Sequence, residues 1–108
     1  MREVSKKDWN LFRERIGTWQ QKYMDRLNRE YIELLNSYAE PEEKFWALEK
    51  RIRKDKKSPG VIIELSKSEM YYNLLDLINC GVITLEDLND FSDDLKDTIN
   101  HFTDSKSL

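Results

Sequence analysis

The sequence predicts an all-α protein: one long N-terminal helix, a second helix of medium length and a C-terminal helical hairpin. Three observations predict it. Apolar residues recur at steps of three and four, the period of a helix face. Only 3 Gly and 2 Pro occur in 108 residues, too few for the turns of a sheet protein. Charged residues make up 36% and apolar residues 39%, the balance of helices with one buried stripe and a solvated remainder. A single helical domain is expected over residues 1–104, with a frayed tail at 105–108.

The first helix is expected over 5–38. Its apolar positions are Trp9, Phe12, Ile16, Trp19, Tyr23, Leu27, Tyr31, Leu34 and Tyr38, with steps that average about 3.6. The early steps keep a heptad, and two consecutive steps of four then break it, so no long supercoil is sustained. Met24, Ile32 and Leu35 widen the stripe toward the C-terminal end, which calls for more than one neighbour.

The second helix is expected over 41–55. Pro41 suits its first turn, where no backbone donor is needed. Glu42 and Glu43 at its start and Arg51, Arg53 and Lys54 at its end favour the helix dipole. Phe45, Leu48 and Ile52 form its apolar stripe, with Trp46 and Ala47 beside it. Pro59 and Gly60 stop it, and residues 56–65 read as an extended connector pressed on the core.

The hairpin is expected over 66–102. Ser66 and Glu69 have the spacing of a capping box at the start of its first helix, and Gly81 that of a left-handed C-terminal residue. Thr84 and Asp87 form a second box, from which the last helix is expected to run through Leu88, Phe91, Leu95 and Ile99 to about His101.

The stretch Leu74-Leu75-Asp76-Leu77-Ile78-Asn79-Cys80-Gly81-Val82-Ile83-Thr84-Leu85-Glu86-Asp87-Leu88 resembles the short C-terminal helical hairpin known as SHOCT. That family joins a leucine-rich helix to an acidic helix start through a Gly-(Val/Leu/Ile)-Ile-Thr turn. The resemblance covers roughly a quarter of the chain and implies a packing or oligomerisation element, without chemistry. The family's second helix usually turns lysine-rich, whereas this one stays acidic, which speaks against a nucleic-acid role for the hairpin. The whole chain resembles small proteins of Gram-positive bacteria or their mobile elements.

Charge is distributed unevenly. Residues 1–57 hold 15 Lys/Arg against 11 Asp/Glu, and residues 58–108 hold 3 against 10. Lys50, Arg51, Arg53, Lys54, Lys56 and Lys57 concentrate the bases, and Asp90, Asp93, Asp94 and Asp97 concentrate the acids. A helical chain of this polarity is expected to pair with itself or with a charged protein partner, using Lys50, Arg51, Arg53, Lys54, Lys56, Lys57, Asp90, Asp94 and Asp97. The aromatic stripe points the same way. A long helix outruns the short ones available to cover it, so self-association as a homodimer is expected through Trp9, Phe12, Ile16, Trp19 and Tyr23. The alternative is a small nucleic-acid-associated regulatory protein that uses the Lys50–Lys57 segment, with Trp46 for stacking. A net charge of −3 opposes it.

Enzymatic chemistry is not expected. There is no Gly-rich phosphate loop and no nucleophile with a visible base. Asp90, Asp93, Asp94 and Asp97 share a helix face, but a calcium site draws on a glycine-bearing loop that is missing here. One His and one Cys do not complete a transition-metal site, so neither metal nor cofactor is expected. Cys80 reads as a small buried or half-buried apolar residue. A lone thiol and the lack of an apolar signal core or membrane-length segment lead to a cytoplasmic expectation.

Overall fold

Ser5 starts the first helix: its hydroxyl accepts a hydrogen bond from the Asp8 amide at 3.1 Å. The computed structural model describes residues 3–107, with side chains to Thr103. Among the described residues four α-helices follow one another: α1 (Lys6–Leu35), α2 (Pro41–Asp55), α3 (Met70–Asn79) and α4 (Asp93–Ser107). Short 3₁₀ turns at Lys67–Glu69 and Leu85–Leu88 precede α3 and α4. The fold is all-α, with a long N-terminal helix and a C-terminal helix pair, and no strand occurs among the described residues. Its dimensions are 52 × 32 × 20 Å.

The two halves of α1 serve different neighbours, as its widening stripe implies. Phe12, Ile16 and Trp19 enter a core with Met70, Tyr71, Leu74, Leu75 and Leu77 of α3, Leu95 and Ile99 of α4, and Ile83, Leu88 and Phe91 between them. Trp9, Phe12, Trp19 and Phe91 form a chain of tilted rings, at centroid distances of 6.1, 6.1 and 6.2 Å. From Leu27 onward, α1 faces α2 instead: Leu27, Glu30 and Tyr31 meet Arg51, Ile52 and Asp55, and the two helices form an arm. α1 ends at Leu35, three residues before the expected limit. Asn36 and Ser37 donate to Ile32 and Leu34 and tighten the last turn, leaving Tyr38 fully solvent-exposed.

Two caps differ from expectation. Ser66 makes no capping bond; its hydroxyl meets that of Ser68 at 3.0 Å, and the chain forms a 3₁₀ turn before α3 begins at Met70. Thr84 and Asp87 do pair, the carboxylate accepting from the Thr84 amide at 2.8 Å, but they cap the Leu85–Leu88 turn. α4 starts nine residues after Thr84 because Ser92 supplies a stronger start. The Ser92 hydroxyl accepts from the Leu95 amide, and both its hydroxyl and its amide donate to the buried Asp8 carboxylate, at 2.6 and 3.0 Å. One carboxylate thereby ties the first turn of α1 to the first turn of α4.

Gly81 carries the only positive φ among the described residues, at 75°. The Gly81 amide donates to Ile78 and the Val82 amide to Leu77, which closes α3 in a Schellman turn. Arg26 of α1 donates to the Gly81 carbonyl at 2.7 Å and locks that turn onto the long helix. The connector at 56–65 turns through Ser58 to Val61 and then runs on without regular secondary structure. Gly60 lies directly against the Tyr23 ring, where a Cβ would meet ring carbons at 2.2 to 2.7 Å. Ile63 packs on the core, while Ile62 stays exposed. The tail expected at 105–108 coincides with the last turn of α4 and with Leu108, which lies outside the described residues.

Candidate protein-interaction surface

The seam of the arm is largely polar. Tyr31 of α1 donates its phenol hydrogen to the buried Asp55 carboxylate of α2 at 2.6 Å. Arg51 reaches Glu30 at 2.9 Å and Asp55 at 3.6 Å, and its guanidinium lies 5.7 Å from the centre of the Tyr31 ring. Polar groups and the Leu27 side chain thus join the helices, so most of the apolar surface of α2 is not consumed by the seam.

That surface faces outward. Phe45 is 64% exposed, Trp46 58% and Ile52 38%, and the Phe45 and Trp46 rings meet edge to face at 5.0 Å. Phe45, Leu48, Glu49, Ile52, Arg53 and Lys56 line a groove of about 440 Å³ along α2. A second groove shares Ile52 and Lys56 and runs into the seam past Met24, Leu27, Tyr31 and Val61. Exposed large aromatics beside an aliphatic stripe, rimmed by charge, have the chemistry of a protein contact. Charge is graded along the face. Exposed Glu42 stands at one end and exposed Lys56 at the other, while Arg53 clamps Glu49 between them.

No family model matches this chain, and no curated protein and no solved structure matches it. The geometry therefore carries the functional reading.

The structure redistributes the residues expected to act. Phe12, Ile16 and Trp19 are buried in the chain's own core, and Trp9 packs half-buried against it. Tyr23 is half-buried under Gly60 and Arg26. A second copy has no access to the centre of this stripe, because the C-terminal helices cover it. The part of the long helix left uncovered is its far end, where Ile32 and Leu35 are exposed beside Tyr38. The basic and acidic clusters take their ion pairs elsewhere. Arg51 pairs with Glu30 and Arg53 with Glu49 inside the arm, whereas Asp90 pairs with Arg15 at 2.7 Å and Asp93 with Lys96 at 3.4 Å. Lys50, Lys54, Lys56, Lys57, Asp90, Asp94 and Asp97 are all exposed.

Cys80 is exposed, contrary to the buried or half-buried place expected for it, because the Schellman turn carries it to the end of α3. Partial desolvation and the nearby Asp76 carboxylate, which its Sγ approaches at 3.6 Å, push the thiol up and favour its neutral, less nucleophilic form. Among the described residues, no three His, Cys, Asp or Glu are grouped to hold a metal ion, and no helix is long and apolar enough to cross a membrane.

The seam carries a testable pH signature. Burial, the hydrogen bond to Asp55 and the Asp55 charge push the Tyr31 phenol up to about 12, with Arg51 pulling the other way. The unfolded phenol titrates near 10, so the folded state holds the proton more tightly. The stability this supplies is complete below about pH 10 and is lost as pH rises from about 10 toward 12. In urea unfolding, the stability advantage of the wild type over Tyr31→Phe is expected to shrink across that window. An advantage that stays constant with pH would contradict the Tyr31–Asp55 bond.

Proposed function

We propose that this chain is a non-enzymatic protein–protein interaction or oligomerisation module, and that the α1–α2 arm is its docking element. The observation that carries the reading is the exposure of Phe45 and Ile52, with exposed Trp46 beside them, on a helix held to α1 by a polar seam. The resemblance of Leu74–Leu88 to SHOCT hairpins agrees with a role in assembly. A reducing cytoplasm suits the exposed Cys80 thiol.

Site-specific crosslinking tests this reading. A photoreactive benzoylphenylalanine at position 46 is expected to give a discrete protein adduct in cells, and Ile52→Ser is expected to abolish it. The same probe at exposed Thr18 on α1 should give none. No adduct from position 46, or one indifferent to Ile52→Ser, overturns the reading.

The exposed Lys50, Lys54, Lys56 and Lys57 beside exposed Trp46 support a second reading, a nucleic-acid-associated regulatory protein. Engagement of Arg51 and Arg53 in ion pairs and the net charge of −3 weigh against it. A salt-dependent mobility shift with DNA or RNA that disappears when Lys50, Arg51, Arg53 and Lys54 all become Gln would favour it.

A further inference from the structure

We infer that the occupant of the α2 face is α2 of a second copy, packed antiparallel about a two-fold axis near Leu48 and Glu49. This rests on the interaction-module reading and names its partner. Glu42, Phe45, Glu49, Ile52 and Lys56 follow one another at steps of three, four, three and four, which sets them on one face of α2. The face is acidic at its start and basic at its end, and between them the apolar Phe45 and Ile52 flank a Glu49 that Arg53 neutralises. A partner that matches it needs a basic group, an apolar stripe and an acidic group in the opposite order, with the charges separated by about 21 Å at 1.5 Å per residue. The same helix, reversed, meets all three requirements.

The two-fold axis then generates every contact twice. Glu42 of each copy lies opposite Lys56 of the other, and Phe45 lies opposite Ile52. The one like-charged meeting is Glu49 against its own copy. It is relieved within each chain, because Arg53 donates to Glu49 from both Nε and Nη2. A parallel pairing would instead oppose Glu42 to Glu42 and Lys56 to Lys56. The bonds that hold α2 to α1 are made by Asp55 and Arg51, which are not among these five residues, while Ile52 and Lys56 form the edge of the face that borders the seam.

Charge-swap variants of the full chain test both partner and orientation. Sedimentation equilibrium of the wild type at tens of micromolar is expected to show a species near twice 13.0 kDa. Glu42→Lys and Lys56→Glu each replace two attractions with two repulsions, so each alone should weaken self-association on the order of tenfold or more. An equimolar mixture of the two variants should recover it. In that mixed pair one contact keeps the native Glu42 and Lys56, and the other reverses both charges, so both are attractive. The double variant on one chain should recover it as well. Both residues are exposed, and unchanged helical circular dichroism will verify folding. Single variants that associate like the wild type, or a mixture that stays monomeric, overturn the antiparallel pairing. A monomeric wild type overturns self-pairing altogether. In that case an Ile52-sensitive adduct of position 46 with a different protein would leave the module reading standing, and its absence would remove both.

Discussion

Phe12→Ala is expected to destabilise the protein by about 3–5 kcal/mol. Phe12 is 0% exposed, with Trp9 and Trp19 rings at 6.1 Å on either side, and it belongs to a core shared with α3 and α4. Truncation removes apolar area that folding withdraws from water. It also leaves a cavity whose walls belong to three different helices and so cannot close together easily. Urea unfolding followed by circular dichroism measures the loss. The same variant separates the two faces of the molecule. If the aromatic stripe of α1 were an interface, Phe12→Ala would weaken association while barely touching monomer stability. The opposite pattern is expected: a large stability loss, with unchanged association of the chains that remain folded. Ile52→Ser, at the edge of the exposed face, should show the complementary pattern, with a smaller stability loss than Phe12→Ala and impaired association. Phe12→Ala with near-wild-type stability and no dimer would return the interface to the α1 stripe.

Asp8→Ala is expected to cost about 2–3 kcal/mol. The carboxylate is 3% exposed and accepts two hydrogen bonds from Ser92, one from the hydroxyl and one from the amide. Bonds to a charged acceptor are stronger than neutral ones, and deleting the acceptor strands two donors at the start of α4. Ser92→Ala removes only the hydroxyl donor and the cap on Leu95, so its cost should be smaller. The two substitutions should be non-additive, with a coupling of about 1 kcal/mol or more in a double-mutant cycle. Hydrogen exchange gives the local readout: the Leu95 amide, which donates to Ser92 Oγ, should lose protection in Asp8→Ala more than amides in the middle of α1. Additive effects, or a Leu95 amide no more sensitive than the rest, would show that the clasp is incidental.

Much of the architecture was legible in the chain itself. The range of α2 follows from Pro41 at one end and Pro59-Gly60 beyond the other, and the structure places it at Pro41–Asp55. Gly81 at the end of α3 and the Thr84–Asp87 pairing are also readable, because each is a local arrangement of side chain and backbone completed within a few residues. At the start of α4 expectation and structure part because a distant residue has intervened. Ser5 and Asp8 have the spacing of a local capping box, yet the Asp8 carboxylate turns away to Ser92, 84 residues on. That contact, and not Thr84, decides where α4 begins. A sequence signal for it existed, since Ser92 precedes Asp93 and Asp94 in the pattern of a helix start.

The candidate site was harder to read. Phe45, Trp46, Ala47 and Leu48 are four successive apolar residues, more than one helix face can bury, so an exposed aromatic on α2 could have been anticipated. Which side of α2 faces solvent could not, because that depends on Tyr31 and Glu30 capturing Asp55 and Arg51.

By itself, then, the sequence determined the all-α class, the succession of helices and the polarity of charge along α2, since periodicity, capping residues and composition act over one or two turns. Only the tertiary structure decided which half of α1 is core, where α4 starts, and that the apolar stripe left uncovered lies on α2. The physical reason is competition for burial. Both long helices offer apolar stripes, but α3 and α4 can cover only one of them. The stripe that closes around Phe12 and Trp19 takes the core, and α2 keeps its own stripe in the solvent.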